Sequence, residues 1–372
     1  MIITDEYTEN SYLNMGKQIV LGLYDLCGFE KLAGGIIFNY NDKKEFNACS
    51  FINKSGQDCI EFNVGLVCDI FAYMKTVLSD ELMFTEIGDF RNNSNRIFKG
   101  TYMHNTNQIW IKGTEMDSDR QEFSEYLSMF ALRFIAAHEI GHLINGHCAL
   151  LKKAYAIPKT EMIVKEKLPL CKKSYVLDRR TMEMDADAFA ATCSIDNIIE
   201  LYKKREDSEW EKIYGKLPRG QQIFRMWAFA VHSLFLIMEK ECHSSYSVEG
   251  TYLPNEARSK MVVDAAFNAM ESRRNFGEFV CTSQEYSIIL QAIVNGIVEA
   301  EAFFNRKYGT NFNFLLNTYQ NSVYKRYSDE VLEHWEKSLR KRLEKDARIP
   351  LYNPKTIDNL MSDLCKTEGN NI

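Results

Sequence analysis

The motif His138-Glu139-Ile140-Gly141-His142 constrains this chain more than any other stretch of its 372 residues. Apolar residues around it recur at helical spacing, so the segment is predicted to form one α-helix. Residues four apart lie on one face of a helix, which allows His138 and His142 to present both imidazoles to a single ion, with Glu139 beside them. This arrangement is typical of a hydrolytic zinc site, where three protein ligands leave one position for an exchangeable water.

Two further observations bear on this motif. Ser118, followed three residues later by Gln121, predicts a capping box at the start of the helix. The chain has seven histidines, and a chance His-Glu-x-x-His is expected in roughly one chain in a hundred of this composition. The alternative interpretation is a helix whose two histidines contact carboxylates or backbone groups and bind no metal.

A catalytic zinc site needs a third protein ligand from elsewhere in the chain. Glu183 is the best candidate, because Glu183 and Asp187 lie four residues apart on one face of a second predicted helix. One carboxylate can bind the metal while the other receives the free N–H of a ligand histidine and fixes its orientation. The alternative is a surface helix whose acidic residues pair with Arg179 and Arg180.

His147 is the rival for the third ligand position. It follows His138 by nine residues, which on a continuous helix turns it about half a revolution away from the other imidazoles. It also misses the metzincin spacing His-Glu-x-x-His-x-x-Gly-x-x-His by one residue. Gly146 can end the helix and redirect the chain, so His147 stays a candidate ligand.

These motifs resemble those of three groups of zinc peptidases. The stretch from Arg133 to Leu143, together with Glu183-Met-Asp-Ala-Asp187, is similar to the ImmA/IrrE-type intracellular peptidases. The same two motifs look like the gluzincin pattern of the CAAX-prenyl and heat-shock membrane peptidases, and the His-Glu-x-x-His core resembles the Lit-type phage-exclusion peptidases. The resemblance covers about residues 105–195 and supports a catalytic class better than a particular protein.

The resemblance implies roles for four residues. In these families the two histidines and the glutamate of the second motif bind Zn²⁺, and the glutamate of the first motif is the general base. Carried over, the metal ligands are His138, His142 and Glu183, and the base is Glu139. The implied reaction is hydrolysis of a peptide bond in a protein or peptide substrate, with a metal-activated water.

A glutamate ligand leaves a zinc site less positive than a third histidine would, so a nearby donor is expected to stabilise the oxyanion of the transition state. The candidates are Tyr252, Arg258, His232 and His243. The stretch from Tyr252 to Arg258 loosely resembles a Pro-x-x-x-Arg element of several gluzincins, although the histidine that precedes that element is missing. The alternative for Arg258 is a surface arginine that pairs with Glu256 or another acid.

Composition favours a cytoplasmic protein without a membrane span. The longest apolar run, residues 223–238, contains Arg225 and His232 and is shorter than the roughly 20 residues that cross a bilayer. No basic and apolar leader is visible at the start. The ten cysteines are scattered without a Cys-x-x-Cys pair, as expected for reduced thiols. A net charge of −6 provides no basic field for nucleic acid.

The order of predicted elements favours an α+β fold that is predominantly helical. Residues 10–26 and 67–78 are predicted helices, and residues 35–40, 58–63 and 108–112 are predicted strands. After residue 195 the predicted helices span residues 196–206, 220–241, 256–273, 284–307 and 328–346. We therefore expect a zincin-like core with a small N-terminal sheet at residues 1–275, and a helical extension at residues 276–372.

The strand at residues 108–112 comes just before the motif helix. If it borders the cleft, its open edge can pair with an extended substrate by strand addition. The alternative is an ordinary internal strand.

The sequence thus predicts a zinc-dependent intracellular endopeptidase. A different class stays open, namely a catalytically inactive protein that keeps the fold for binding or regulation. A purely structural zinc has no need of Glu139 and normally fills its fourth position with Cys or His, which favours the enzyme. Similarity to the Lit-type enzymes adds the hypothesis of an antiviral defence effector that stays dormant until triggered. The sequence does not predict the oligomeric state.

Overall fold

The computed structural model describes residues 6–27, 35–89, 97–103, 108–113, 116–157, 159–161, 173–215, 217–241, 253–320 and 322–351. Within them the chain is mostly helical with a small mixed sheet, so the predicted α+β class is confirmed. The first half contains α1 (Glu6–Leu26), β1 (Ile36–Asn41), β2 (Ala48–Ile52), β3 (Asp58–Asn63), α2 (Val64–Leu78), β4 (Lys99–Met103), β5 (Gln108–Lys112), α3 (Ser118–Ile144), α4 (His147–Tyr155) and β6 (Lys159–Glu161).

The second half contains helices alone among its described residues. They are α5 (Lys173–Lys203), α6 (Trp210–Tyr214), α7 (Gln222–Glu241), α8 (Asn255–Asn275), α9 (Ser283–Tyr308), α10 (Phe314–Gln320), α11 (Ser322–His334), a π-helical turn (Trp335–Leu339) and α12 (Arg340–Leu343). The predicted helix at residues 196–206 is the last part of α5, which ends at Lys203.

The main sheet has the strand order β1-β3-β2-β6. Strand β1 is parallel to β3, whereas β2 runs antiparallel to both β3 and β6. Strand β2 also packs against α3, the motif helix. The predicted strand at residues 108–112 is present as β5, but it pairs with β4 in a separate ribbon that packs on α1 and α2. The strand beside the motif helix is therefore β2.

The start of α3 is fixed by two side chains. The cap is Asp117, whose carboxylate accepts hydrogen bonds from the backbone N–H groups of Asp119 and Arg120, so the predicted capping box at Ser118 is wrong by one residue. The negative charge of Asp117 also interacts favourably with the positive end of the helix dipole. The buried Arg120 guanidinium donates five hydrogen bonds to backbone carbonyls of residues 78–87, which anchors α3 to the chain that follows α2.

Helices α3 and α5 cross at their smallest residues. A Cβ atom added to Gly141 would lie 3.4 Å from Cα of Ala186 and 3.1 Å from Cδ1 of Phe189. Gly141 lies between the two motif histidines, and Ala186 lies between Glu183 and Asp187. The small residues of both motifs therefore allow the two helices to approach closely at the point where their polar side chains meet.

Two hydrophobic clusters enclose this crossing. The larger one runs from α1 to α10 and joins residues on both sides of position 275, such as Phe235 and Phe303. The smaller one packs α11, the π-helical turn and α12 against α4, α5 and the start of α8, with Trp335 at its centre. The division at residue 275 stays a prediction, and the core is continuous across it.

Among the residues that the structure describes, two helices are long and apolar enough to cross a membrane by length and composition alone. They are Ser118–Ile144, whose most apolar stretch is 89% buried within the protein, and Ser283–Tyr308, whose corresponding stretch is 50% buried. Core helices of soluble proteins pass the same test, so this finding carries little weight.

Candidate metal centre

Three electron-pair donors converge where α3 crosses α5. Nε2 of His138 lies 3.1 Å from Nε2 of His142 and 3.4 Å from Oε2 of Glu183. Nε2 of His142 lies 3.5 Å from Oε1 of the same glutamate. All three residues are buried, and together they form a group that can hold a metal ion. The predicted ligands are therefore brought together by helices from two distant parts of the sequence.

The spacing of these atoms fits zinc. Tetrahedral ligands at about 2.0–2.1 Å from the ion are separated from one another by about 3.3 Å. The two imidazole nitrogens are 3.1 Å apart, and they lie 3.4 and 3.5 Å from two different oxygens of Glu183. Imidazole nitrogens and a carboxylate oxygen are also the ligand types of catalytic zinc sites. The residues present thus fit the metal that the motif implies.

Asp187 determines which nitrogen of His138 faces the ligand group. Its Oδ1 lies 2.9 Å from Nδ1 of His138, in a contact bent away from ideal hydrogen-bond geometry. A carboxylate oxygen at this distance repels a nitrogen lone pair, so Nδ1 carries a proton. Burial opposes the charged imidazolium, but Asp187 and Glu183 outweigh it and raise the pKa of His138 to about 10. The centre therefore favours a positive charge close to Nε2 of His138.

Two buried arginines balance the carboxylates. Arg258 on α8 donates from Nε and Nη2 to the two oxygens of Asp187, at 2.8 and 2.9 Å. Arg179 donates to Oε1 of Glu183 at 2.9 Å, one helical turn earlier on α5. Burial raises the pKa of both carboxyls, but the nearby positive charges outweigh it, and both pKa values are lowered. Both acids are therefore ionised at neutral pH.

His142 is held in its neutral form. Burial lowers its pKa well below the usual range, and the nearby charge of His138 lowers it further. A neutral imidazole carries one N–H and one lone pair, as a metal ligand requires.

Glu139 directly follows His138 on α3. It is fully buried, and among the described residues neither of its carboxylate oxygens has a hydrogen-bond partner. Burial raises its pKa to about 7, against the opposing charge of His138 and the nearby hydroxyl of Ser50 on β2. A base that titrates near neutral pH can both accept and return a proton.

The centre is closed to solvent. His138 is 2% exposed, His142 is 1% exposed, and Glu139 and Glu183 are fully buried. A cavity of about 10 Å³ reaches His138, Asp187 and Arg258 and is otherwise lined by apolar side chains. A single water needs at least 10–15 Å³ of such space. A peptide can therefore reach the ligands only after part of the protein moves.

The other candidate residues lie in different places. Arg258 contacts Asp187, with Nη2 also 3.4 Å from Oε2 of Glu183, so it is not the surface arginine of the alternative interpretation. His232 contacts Ser259 and Glu301, at 2.6 and 3.0 Å, and joins α7 to α8 and α9. Tyr252 and His243 lie outside the described residues.

His147 lies next to the metal group without being part of it. Its Nδ1 is 2.9 Å from Nδ1 of His142, on the side of that ring opposite to the ligand nitrogen. Gly146 adopts a left-handed conformation with φ of 85°, ends α3 and turns the chain back into α4.

Sequence reasoning missed three neighbours of the centre, namely Ser50, Arg179 as an internal partner and Asp185. Ser50 lies in the short apolar run 48–52 between Asn47 and Asn53, and that run was a detectable strand signal. Arg179 precedes Glu183 by one helical turn, which was a signal for an ion pair inside the helix. Nothing in the sequence pointed to Asp185.

Comparison of the chain with known protein families, curated proteins and solved structures gives no match. The chemistry of the centre therefore rests on its own residues.

Proposed function

We propose that this protein is a zinc-dependent endopeptidase with a zincin-like fold, acting inside the cell on a protein substrate. The observation that carries the proposal is the convergence of His138, His142 and Glu183, which are all buried and whose donor atoms lie within 4.8 Å of one another. Asp187 and Arg258 support the arrangement from behind His138.

The chain's own residues perform most of the chemistry. His138, His142 and Glu183 would hold a zinc ion, which would supply Lewis acidity toward a water and the scissile carbonyl. Glu139 accepts the proton of the attacking water on a carboxylate oxygen and delivers it to the departing amine. Its burial keeps bulk water from competing for that proton, and its pKa of about 7 suits both transfers.

No positively charged or hydroxyl donor is assigned to the oxyanion. Nε and Nη2 of Arg258 already engage the Asp187 carboxylate, and Nη2 also lies close to Glu183, so Arg258 serves better as a support for Asp187 than as an oxyanion donor. Tyr252 keeps its predicted role as a hypothesis.

The closed centre favours a second candidate, a protein that binds the metal for regulation and cleaves nothing. It equally suits an enzyme that stays latent until triggered, as in the defence hypothesis. The substitution Glu139→Gln separates these possibilities, because it removes the base without removing a ligand.

The test compares native protein, Glu139→Gln and Glu125→Gln in bacteria. Glu125 is a half-buried acid on the same helix, about four turns earlier, and serves as the matched control. Elemental mass spectrometry should find about one zinc per chain in all three. Profiling of new protein N-termini should find cleavage products with native protein and Glu125→Gln, and none with Glu139→Gln.

If the protein is an effector, growth arrest or phage resistance should occur with native protein and Glu125→Gln, and not with Glu139→Gln. Absence of zinc from the native protein, even after resupply, would refute the metal site. Zinc binding with biological activity that survives Glu139→Gln would support the regulatory protein instead.

A further inference from the structure

His147 occupies a buried position behind the proposed ligand His142. The left-handed turn at Gly146 reverses the chain and brings Nδ1 of His147 to 2.9 Å from Nδ1 of His142. Two lone pairs would repel each other at this distance, and two protons would clash. One of the two nitrogens therefore donates and the other accepts.

Asp185 decides which nitrogen donates. Its Oδ2 lies 3.1 Å from Nε2 of His147, in a contact bent away from ideal hydrogen-bond geometry, and the side-chain amide of Asn145 donates to the same oxygen at 2.6 Å. A carboxylate oxygen close to a ring nitrogen favours N–H at that nitrogen over a lone pair. The proton of the His147 ring is therefore on Nε2, and its Nδ1 is the acceptor.

This proton position also determines the tautomer of His142, one of the proposed metal ligands. If Nδ1 of His147 accepts, Nδ1 of His142 must donate, and the lone pair of the neutral His142 ring is on Nε2. That nitrogen faces Nε2 of His138 and the carboxylate of Glu183. We propose that His147 and Asp185 are positioning residues that fix His142 in the tautomer whose Nε2 binds the metal.

The two ligand histidines are thus oriented in different ways. His138 faces the carboxylate of Asp187 directly, whereas His142 reaches Asp185 through a second imidazole. Both carboxylates come from α5, the helix that also supplies Glu183. One helix therefore provides a ligand and the orienting groups for both histidines of the other helix.

The inference rests on the proposed metal site, and its test has a readout that does not need the metal. The first variant is His147→Leu, which removes the acceptor. The second is His147→Gln, whose Oε1 can accept the hydrogen bond from His142. The control is Ser128→Ala on α3, which removes a buried hydroxyl that donates to the helix carbonyl of Ser124.

Zinc affinity is measured by competition with a chromogenic chelator. His147→Leu should weaken binding by about 10–100-fold, the usual effect of removing a partner of a ligand histidine. His147→Gln should weaken it less than about tenfold, and Ser128→Ala should leave it unchanged. A role in packing alone predicts no rescue by glutamine. Equal affinity of the native protein and His147→Leu would overturn the inference.

The tautomer is measured directly by ¹⁵N NMR of histidine-labelled, zinc-free protein. The native chain should show Nδ1 of His142 protonated and Nε2 unprotonated, and His147→Leu should lose this preference. If His147→Leu does not fold, Asp185→Asn should give a smaller change of the same sign. An unchanged tautomer in the folded variants would overturn the inference, whereas failure of native protein to bind zinc would overturn only the proposed function.

Discussion

The crossing of α3 and α5 at Gly141 provides a sharp test of how the centre is built. The substitution Gly141→Ala places a methyl group 3.1 Å from Cδ1 of Phe189 and 3.4 Å from Cα of Ala186. Favourable carbon contacts are about 3.5–4.0 Å long. The two helices, or the Phe189 ring, must therefore move by a few tenths of an ångström. Metal sites tolerate errors of only about 0.2 Å in ligand distance.

Two opposing effects determine how much Gly141→Ala changes the free energy of unfolding. Replacing glycine by alanine inside a helix stabilises it by about 0.8–1.0 kcal/mol. Overpacking of a tight contact costs about 1–3 kcal/mol. Gly141→Ala should therefore change the free energy of unfolding by between about 0 and −2 kcal/mol, and weaken zinc binding by about tenfold. Gly22 on α1 is exposed with no atom within 4 Å of an added Cβ, so Gly22→Ala should give the full helix gain.

The assay is urea denaturation of both variants without metal, followed by chelator competition for zinc. The unfolding free energies of the two variants should differ by about 1–3 kcal/mol, with Gly22→Ala the more stable. Zinc affinity should fall only in Gly141→Ala. Equal gains in stability and equal affinities would refute the argument that close approach of the two helices builds the centre.

Three further predictions concern an acid on α2, the buried Arg258 and the left-handed Gly146. Burial and Glu241 raise the pKa of Asp69 from 3.8 to about 6, so ionisation of Asp69 lowers the free energy of unfolding as pH rises between these values. Asp69→Asn should therefore add about 1–3 kcal/mol to the free energy of unfolding at pH 7 and nothing below pH 4. Urea denaturation at each pH measures this difference. Arg258→Met should cost about 3–5 kcal/mol by the same assay, against about 0–1 for the surface variant Arg274→Met. Gly146→Ala should cost at least about 1–2 kcal/mol, because it forces a left-handed alanine against the backbone of residues 346–347.

Much of the fold could be predicted because long elements carry periodic patterns. Helix α3 and strand β3 follow the expected ranges closely, since their apolar residues recur at the helical and strand periods. Strands β2, β4 and β6 were missed, and β6 has only three residues, Lys159–Glu161. Such a strand is defined by its partner β2, so its own sequence contains little signal.

The candidate metal centre could likewise be predicted only in part. Spacing alone identified His138, His142, Glu183 and Asp187 as a possible group, because residues four apart share a helix face. The position of His147 depends on whether the helix continues past Gly146, and spacing on a continuous helix turns it away from the other imidazoles. The left-handed turn reverses that conclusion, yet places His147 behind His142 and outside the metal group.

Burial of the centre was beyond sequence reasoning, and it leads to a last prediction. The ligand side chains are at most 2% exposed, so a chelator cannot contact the metal in the closed protein. Release of zinc must then wait for an opening of the structure, and such local openings have their own free energy. The rate of zinc transfer to a strong chelator should rise at first and then become independent of chelator concentration.

That limiting rate should increase in dilute urea, since opening exposes buried surface. The measurement is stopped-flow absorbance with a chromogenic chelator across a hundredfold concentration range. A transfer rate that stays proportional to chelator concentration would mean that the chelator reaches the metal directly. In that case the centre is open in solution, and latency cannot explain an absence of peptide cleavage. A rate that levels off would instead give the frequency of the motion that any peptide substrate needs before Glu139 can act on it.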